Sequence, residues 1–140
     1  MHRTTYIAAA LVVGLLAAAL MAGCDGSALD TGLLLPTVED ISAADLEARI
    51  ERGGSLVVLD VRSPAEYQTG RIPGSVNIPL DQLPSRHDEL DQRVPTVCVC
   101  SAGHRSAQAA HILALSGFRN VMNLESGLSA YEGPWESNTD

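Results

Sequence analysis

Val94-Pro95-Thr96-Val97-Cys98-Val99-Cys100-Ser101-Ala102-Gly103-His104-Arg105-Ser106 is the stretch whose reading decides the fold. Residues 94–99 form a short apolar run, the pattern of a strand buried on both faces. Residues 106–116 place Ala107, Ala110, Leu113 and Ala114 at helical spacing, and Gly117 stops them. Between the two lies a short loop containing Gly103. Cys100 therefore stands where a strand ends, a glycine loop turns and a helix begins. Backbone N–H groups of such a loop converge, and the helix N-terminus adds partial positive charge. A cysteine placed there is expected to be a thiolate near neutrality, hence a nucleophile. The expected chemistry is that of a cysteine acting on, or through, something anionic.

Outward from this stretch the chain alternates strand-like and helix-like segments. Strands are expected over 38–41, 56–59, 76–78, 96–99 and 121–124. Ser42 is expected to cap a helix that carries Leu46 and Ile50 on one face, with Asp45 in capping-box position and Gly53-Gly54 as its stop. Ser63-Pro64-Ala65-Glu66 is a stronger start signal, with serine at the N-cap, proline at the first helical position and glutamate at the third. Gly70 ends that helix. Helices are also expected over 80–90, 105–116 and, briefly, 127–131. This alternation predicts an α/β layer built on a mainly parallel sheet.

The chain has 140 residues, enough for one domain with extras. Residues 1–23 read as an export signal: His2 and Arg3 are basic, and residues 7–22 are an uncharged apolar core of 16 residues. Met21-Ala22-Gly23-Cys24 resembles a bacterial lipoprotein lipobox, with Met21 in the usual leucine position. That resemblance implies that Cys24 is lipidated and becomes the mature N-terminus, placing the protein in the bacterial cell envelope. Asp25 resembles a signal for inner-membrane retention. Residues 24–36 are read as the lipidated cysteine and a tether, and residues 37–140 as the folded domain. The formal net charge is −8 with no lysine and no basic cluster, which excludes a general nucleic-acid binder. Three cysteines, Cys24, Cys98 and Cys100, are too few for a disulfide framework, and their spacing matches no zinc motif, so no metal is expected.

Taken together the segments resemble the rhodanese (sulfurtransferase) domain family. The matching pieces are Leu59-Asp60-Val61-Arg62, Glu66-Tyr67, Gly70-Arg71-Ile72-Pro73-Gly74-Ser75, Asn77-Ile78-Pro79, the loop from Cys100 to Ser106, Gly117-Phe118 and Asn123-Leu124-Glu125-Ser126-Gly127. The resemblance covers residues 38–135. It implies a single rhodanese-like domain whose parallel sheet carries helices on both faces. It also implies that Cys100 accepts a sulfane sulfur as a persulfide from a small anionic donor such as thiosulfate. A thiol or cyanide acceptor would then remove it. No cofactor beyond that covalent persulfide is implied. The loop Ser101, Ala102, Gly103, His104, Arg105 and Ser106 would bind the anion. With four residues between Cys100 and Arg105, the loop is shorter than in related tyrosine phosphatases, which favours sulfur over phosphoryl transfer. Ser101 and Arg71 depart from the family pattern, in which a basic residue often follows the cysteine and a histidine often precedes Ile-Pro-Gly. Fewer charges at the loop mouth weaken the case for thiosulfate. A non-catalytic binding, sulfur-carrier or sensor module is the alternative.

Several side chains carry two readings. Arg105 either binds the anion or braces the loop. Ser106 either donates to the thiolate or caps the helix. His104, with Arg71, is available near the sulfur. Asp60 and Arg62 are read as a structural ion pair near the site, and Glu66 as a helix cap. Cys98 should face the same way as Cys100, as core filler or as a resolving thiol. Tyr131 and Trp135 are read as packing residues.

Overall fold

Five strands run parallel in one sheet, in the order β1-β5-β4-β2-β3, in a computed structural model that describes residues 37–138. They are β1 (Glu39–Ile41), β2 (Val57–Asp60), β3 (Val76–Asn77), β4 (Thr96–Val99) and β5 (Val121–Leu124). β4 is central, and all four of its residues are buried. Its side chains alternate between the two faces of the sheet. Val97 and Val99 join Leu46, Met122 and Leu124 in one core cluster, while Cys98 and Cys100 join Ala109, Ala110, Leu113 and Phe118 in the other. Leu46 belongs to α1 (Ala43–Arg52), and the two alanines with Leu113 belong to α4 (His104–Leu115). Helices thus cover both faces, as a parallel sheet requires. The leader, Cys24 and the tether to residue 36 lie outside the described residues.

The local signals act as expected at most element ends. The Ser42 hydroxyl accepts the Asp45 N–H at 3.1 Å and caps α1. α2 (Pro64–Thr69) opens on a full capping box: Ser63 accepts from the Glu66 N–H, and Glu66 accepts from the Ser63 N–H at 3.0 Å. The helix expected over 80–90 is instead a single α-turn, α3 (Leu83–Arg86), followed by a 3-10 turn, His87–Glu89. Pro84 explains the late start. It has no N–H and fits only in a first turn, so Gln82 and Leu83 fold back on the Pro79 carbonyl at 2.9 and 3.0 Å before the helix begins. Leu83 and Leu90 still bury on the core side. The last expected helix is likewise a 3-10 turn, Leu128–Ala130.

One connection was not legible locally. Arg71 and Glu136 form an antiparallel bridge through backbone bonds of 2.9 and 3.0 Å, so the C-terminal segment lies along the turn that follows α2. From β2 the chain moves outward to the β3 edge, and from β4 it moves outward to β5. The reversal opens a crevice between β2 and β4 at the carboxyl ends of the strands, where open α/β sheets place their sites.

Candidate active site

Cys100 is the first residue past β4, at that crevice. Its residue is 1% exposed, and its sulfur faces back toward the loop that follows it. The Ser106 N–H donates to Sγ at 3.4 Å, and the Ser106 hydroxyl lies 3.4 Å from the same sulfur. Burial pushes the thiol up. Hydrogen bonds from the Ser106 hydroxyl and from the amides of Ser106, Ala102 and Gly103 outweigh it and hold the thiol below its ordinary value. Cys98, two residues earlier on the same face, has no such donors; burial, and next the charge of Cys100, push its thiol up. The surroundings of Cys100 favour ionisation and those of Cys98 oppose it, which separates the two readings of Cys98 in favour of packing.

Two backbone positions make the cup possible. Gly103 caps α4 in the left-handed region at φ 87°, and a Cβ there would stand 1.9 Å from the Glu125 carbonyl oxygen. Gly127, at φ 66°, lies under the loop, where a Cβ would come within 2.5 Å of the Ala102 nitrogen and the Ser101 oxygen. The segment beyond Gly127 then holds the loop from outside: the Leu128 N–H donates to the Cys100 carbonyl at 2.8 Å, and the Ser129 N–H to the Ser101 carbonyl at 3.1 Å. With those carbonyls committed outward, the amides of Ala102, Gly103 and Ser106 serve the sulfur.

Ser106 is not the helix cap, because Gly103 occupies that position. As the third helical residue it aims both its N–H and its hydroxyl back at the sulfur. Arg105 turns out to be a brace. Its Nη1 and Nη2 donate to the two carboxylate oxygens of Glu66 at 2.9 and 2.8 Å, and Nη2 also reaches the Ser101 hydroxyl at 3.2 Å. The Ser101 hydroxyl in turn donates to Glu66 at 3.3 Å. Glu66 therefore does more than the capping expected of it. The Arg105 guanidinium, followed by the Ser63 amide, holds its carboxyl well below the usual carboxylate range.

Asp60 and Arg62 form the expected ion pair at 2.6 Å, with Asp60 0% and Arg62 6% exposed. Arg62 also donates to the Gly70 carbonyl at 2.7 Å, and the Asn77 amide donates to the carbonyls of Asp60 and Arg62 at 2.9 Å each. The cluster ties the ends of β2 and β3 together. Arg71 is committed elsewhere: it pairs with Glu136 at 2.7 Å and stacks over the Tyr67 ring. The expected availability of Arg71 to an anion is not met, because the C-terminal segment supplies Glu136 as its partner from 65 residues away, beyond the reach of any local pattern. His104 is exposed at the start of α4. Tyr131 and Trp135 pack together at 6.5 Å between ring centroids, and the Arg62 guanidinium lies 5.9 Å from the Trp135 ring.

Beside the loop a cleft of about 460 Å³ opens between α2 and the segment after β3. Val61, Pro64, Pro79 and Leu80 give it apolar walls, and Asp81 and Arg105 add charge. A thiolate ringed by amides, next to a cleft that admits a small organic group, can attack an electrophilic sulfur and stabilise the anion that results.

Residues 42–133 match the Rhodanese-like domain family. A sulfurtransferase of Allochromatium vinosum is 32% identical over 94 residues, covering 67% of this chain and 88% of the relative. A Bacillus subtilis relative whose name describes a sulfur carrier is 33% identical over 100 residues; that match covers 71% of this chain, and this chain spans only 54% of the relative's length. Among solved structures, a Rhodanese-like domain protein from Staphylococcus aureus superposes with a TM-score of 0.67 at 25% identity, covering 73% of this chain and all of that one. With a parallel α/β sheet, a cysteine loop at its switch point and a family match over most of its length, this chain belongs to the rhodanese-like domain family.

Proposed function

We propose that this protein is a sulfurtransferase that carries a sulfane sulfur on Cys100. The Cys100 thiolate attacks the outer sulfur of a donor such as thiosulfate. A bond forms between the two sulfurs, the donor's S–S bond breaks, and sulfite leaves with the electron pair. An acceptor thiol, or cyanide, then attacks the outer sulfur of the persulfide and returns Cys100 to the thiolate. Each step is a two-electron displacement that needs no metal or organic cofactor. Ala102, Gly103 and Ser106 hold the anionic sulfur, while Ser101, His104 and Arg105 shape the mouth of the loop. Asp60 and Arg62 are structural. The leader adds a proposed setting: a protein lipidated on Cys24, anchored to a membrane in the bacterial envelope.

The observation that carries this reading is the set of hydrogen bonds to Sγ that outweighs burial. The relatives named for sulfur transfer and sulfur carriage support it. The test is the intact mass of the protein after incubation with thiosulfate or an organic persulfide. One added sulfur atom is expected, removed again by cyanide with release of thiocyanate, and absent in Cys100→Ser. A gain that survives this substitution, or no gain from either donor, overturns the proposal.

A further inference from the structure

Every arginine at the site end of the sheet is already matched by a carboxylate. Arg62 pairs with Asp60 at 2.6 Å, Arg71 with Glu136 at 2.7 Å and Arg105 with Glu66 at 2.8 Å. Arg49 and Arg52 stand in the last turn of α1, at the opposite end of the sheet. Beyond Arg105, the loop carries one basic side chain, His104, which is exposed. The cleft beside the loop, which Arg105 also lines, adds a further carboxylate, Asp81; Val61, Pro64, Pro79 and Leu80 form its apolar half, and Ser63 and Gln82 are its uncharged polar residues. An incoming donor therefore meets a neutralised guanidinium and an unbalanced negative charge.

We infer that Glu66 and Asp81 select against dianionic sulfur donors, and that the donor suited to this site is a persulfide on an uncharged or cationic organic carrier. The carrier lies in the cleft against Val61, Pro64, Pro79 and Leu80. This inference rests on the sulfurtransferase reading and narrows its donor. The step balances without a further reagent. The Cys100 thiolate attacks the outer sulfur of the donor R–S–SH, the inner S–S bond breaks, R–S⁻ leaves with the electron pair, and Cys100 holds the S–SH group. The leaving thiolate bears one negative charge, whereas the sulfite released from thiosulfate bears two and would depart past the unbalanced charge of Asp81, with the Arg105 guanidinium already neutralised by Glu66. The apolar walls favour an organic carrier over a small hydrated anion.

The test compares second-order rates of sulfur uptake on Cys100, followed by intact mass, for thiosulfate and for the persulfide of N-acetylcysteine methyl ester. Wild type, Glu66→Gln and Asp81→Asn are measured at low and high salt. Glutamine keeps the size of residue 66, removes its charge and, with a single acceptor oxygen, retains one of the two Arg105 bonds. The expected result is a preference for the persulfide that drops about tenfold in Glu66→Gln and severalfold in Asp81→Asn at low ionic strength. High salt should shrink both differences. Asp81 is exposed on the cleft wall, so its effect on the donor ratio reports charge rather than loop geometry. A ratio that Glu66→Gln leaves unchanged within about twofold overturns the inference, since steering by a removed charge exceeds that amount. Sulfur uptake from neither donor overturns the sulfurtransferase reading instead.

Discussion

The hydroxyl oxygen of Ser106 lies 3.4 Å from the sulfur of Cys100 and 2.9 Å from the carbonyl oxygen of Gly103. A hydroxyl has one proton to donate. With Cys100 as a thiol, that proton bonds the Gly103 carbonyl and the S–H can donate to the Ser106 oxygen. With Cys100 as a thiolate, the proton turns to the sulfur. Ionisation of the cysteine thus re-aims a single buried hydrogen bond, while the Ser106 N–H stays on the sulfur throughout.

Ser106→Ala should raise the Cys100 thiol by removing the side-chain donor while leaving the amides. The alkylation rate with iodoacetamide, followed against pH, should show its midpoint move up by about one pH unit, the scale of about 1.4 kcal/mol for a charge-assisted bond. An unmoved midpoint would show that the amides alone hold the thiolate.

Gly103→Ala should both strain and displace the loop. The left-handed backbone alone costs about 1–2 kcal/mol for a residue with a side chain. The new methyl would also press on the Glu125 carbonyl, 1.9 Å from the ideal Cβ position. The expected outcome is a lower urea midpoint together with a higher Cys100 titration midpoint, because the amides of Ala102 and Gly103 move off the sulfur. Stability loss without any change in titration would dissociate the loop's shape from the ionisation of the thiol.

Asp60→Ala should be among the most destabilising single changes in the domain. It strands Arg62, 6% exposed, with the Gly70 carbonyl as a remaining acceptor. Breaking a buried pair by removing one partner costs about 3–5 kcal/mol, a large share of the stability of a small domain. Equilibrium unfolding in urea reads this directly. A loss below about 1 kcal/mol would mean that Arg62 finds water once its partner is gone.

The Glu66–Arg105 pair predicts how the domain responds to acid. The folded-state carboxyl of Glu66 lies below its ordinary value of 4.5, so in the intervening range the unfolded chain binds a proton that the folded chain does not. The stabilisation is complete above that ordinary value and is lost as pH falls through the depressed one. Both side chains are 39% exposed, so solvent screens the effect and its size is modest. Urea midpoints measured from neutrality down to about pH 3 should fall less steeply in Glu66→Gln than in wild type. Parallel slopes would show that the pair contributes nothing to acid sensitivity.

What the sequence determined by itself was the set of choices made within one turn or one pleat. The apolar run into Cys100, the glycine loop and the spacing of Ala110, Leu113 and Ala114 place the cysteine between a central strand and a helix. Ser42 and Ser63 mark helix starts because capping involves residues three apart. Such contacts are encoded where they occur, so they can be read along the chain. Tertiary structure decided which charges meet. Glu66 and Arg105 are 39 residues apart, and Arg71 and Glu136 are 65 apart. Nothing in the local pattern of either arginine distinguishes a free anion receptor from a paired brace. The same holds for Gly127, Leu128 and Ser129, whose place beneath the cysteine loop follows from β5 packing beside β4. Position along the chain established that Cys100 would sit in a loop of amides; the packing of distant segments established the charge at the mouth of that loop, because electrostatic partners are selected by distance in space and not by spacing in sequence.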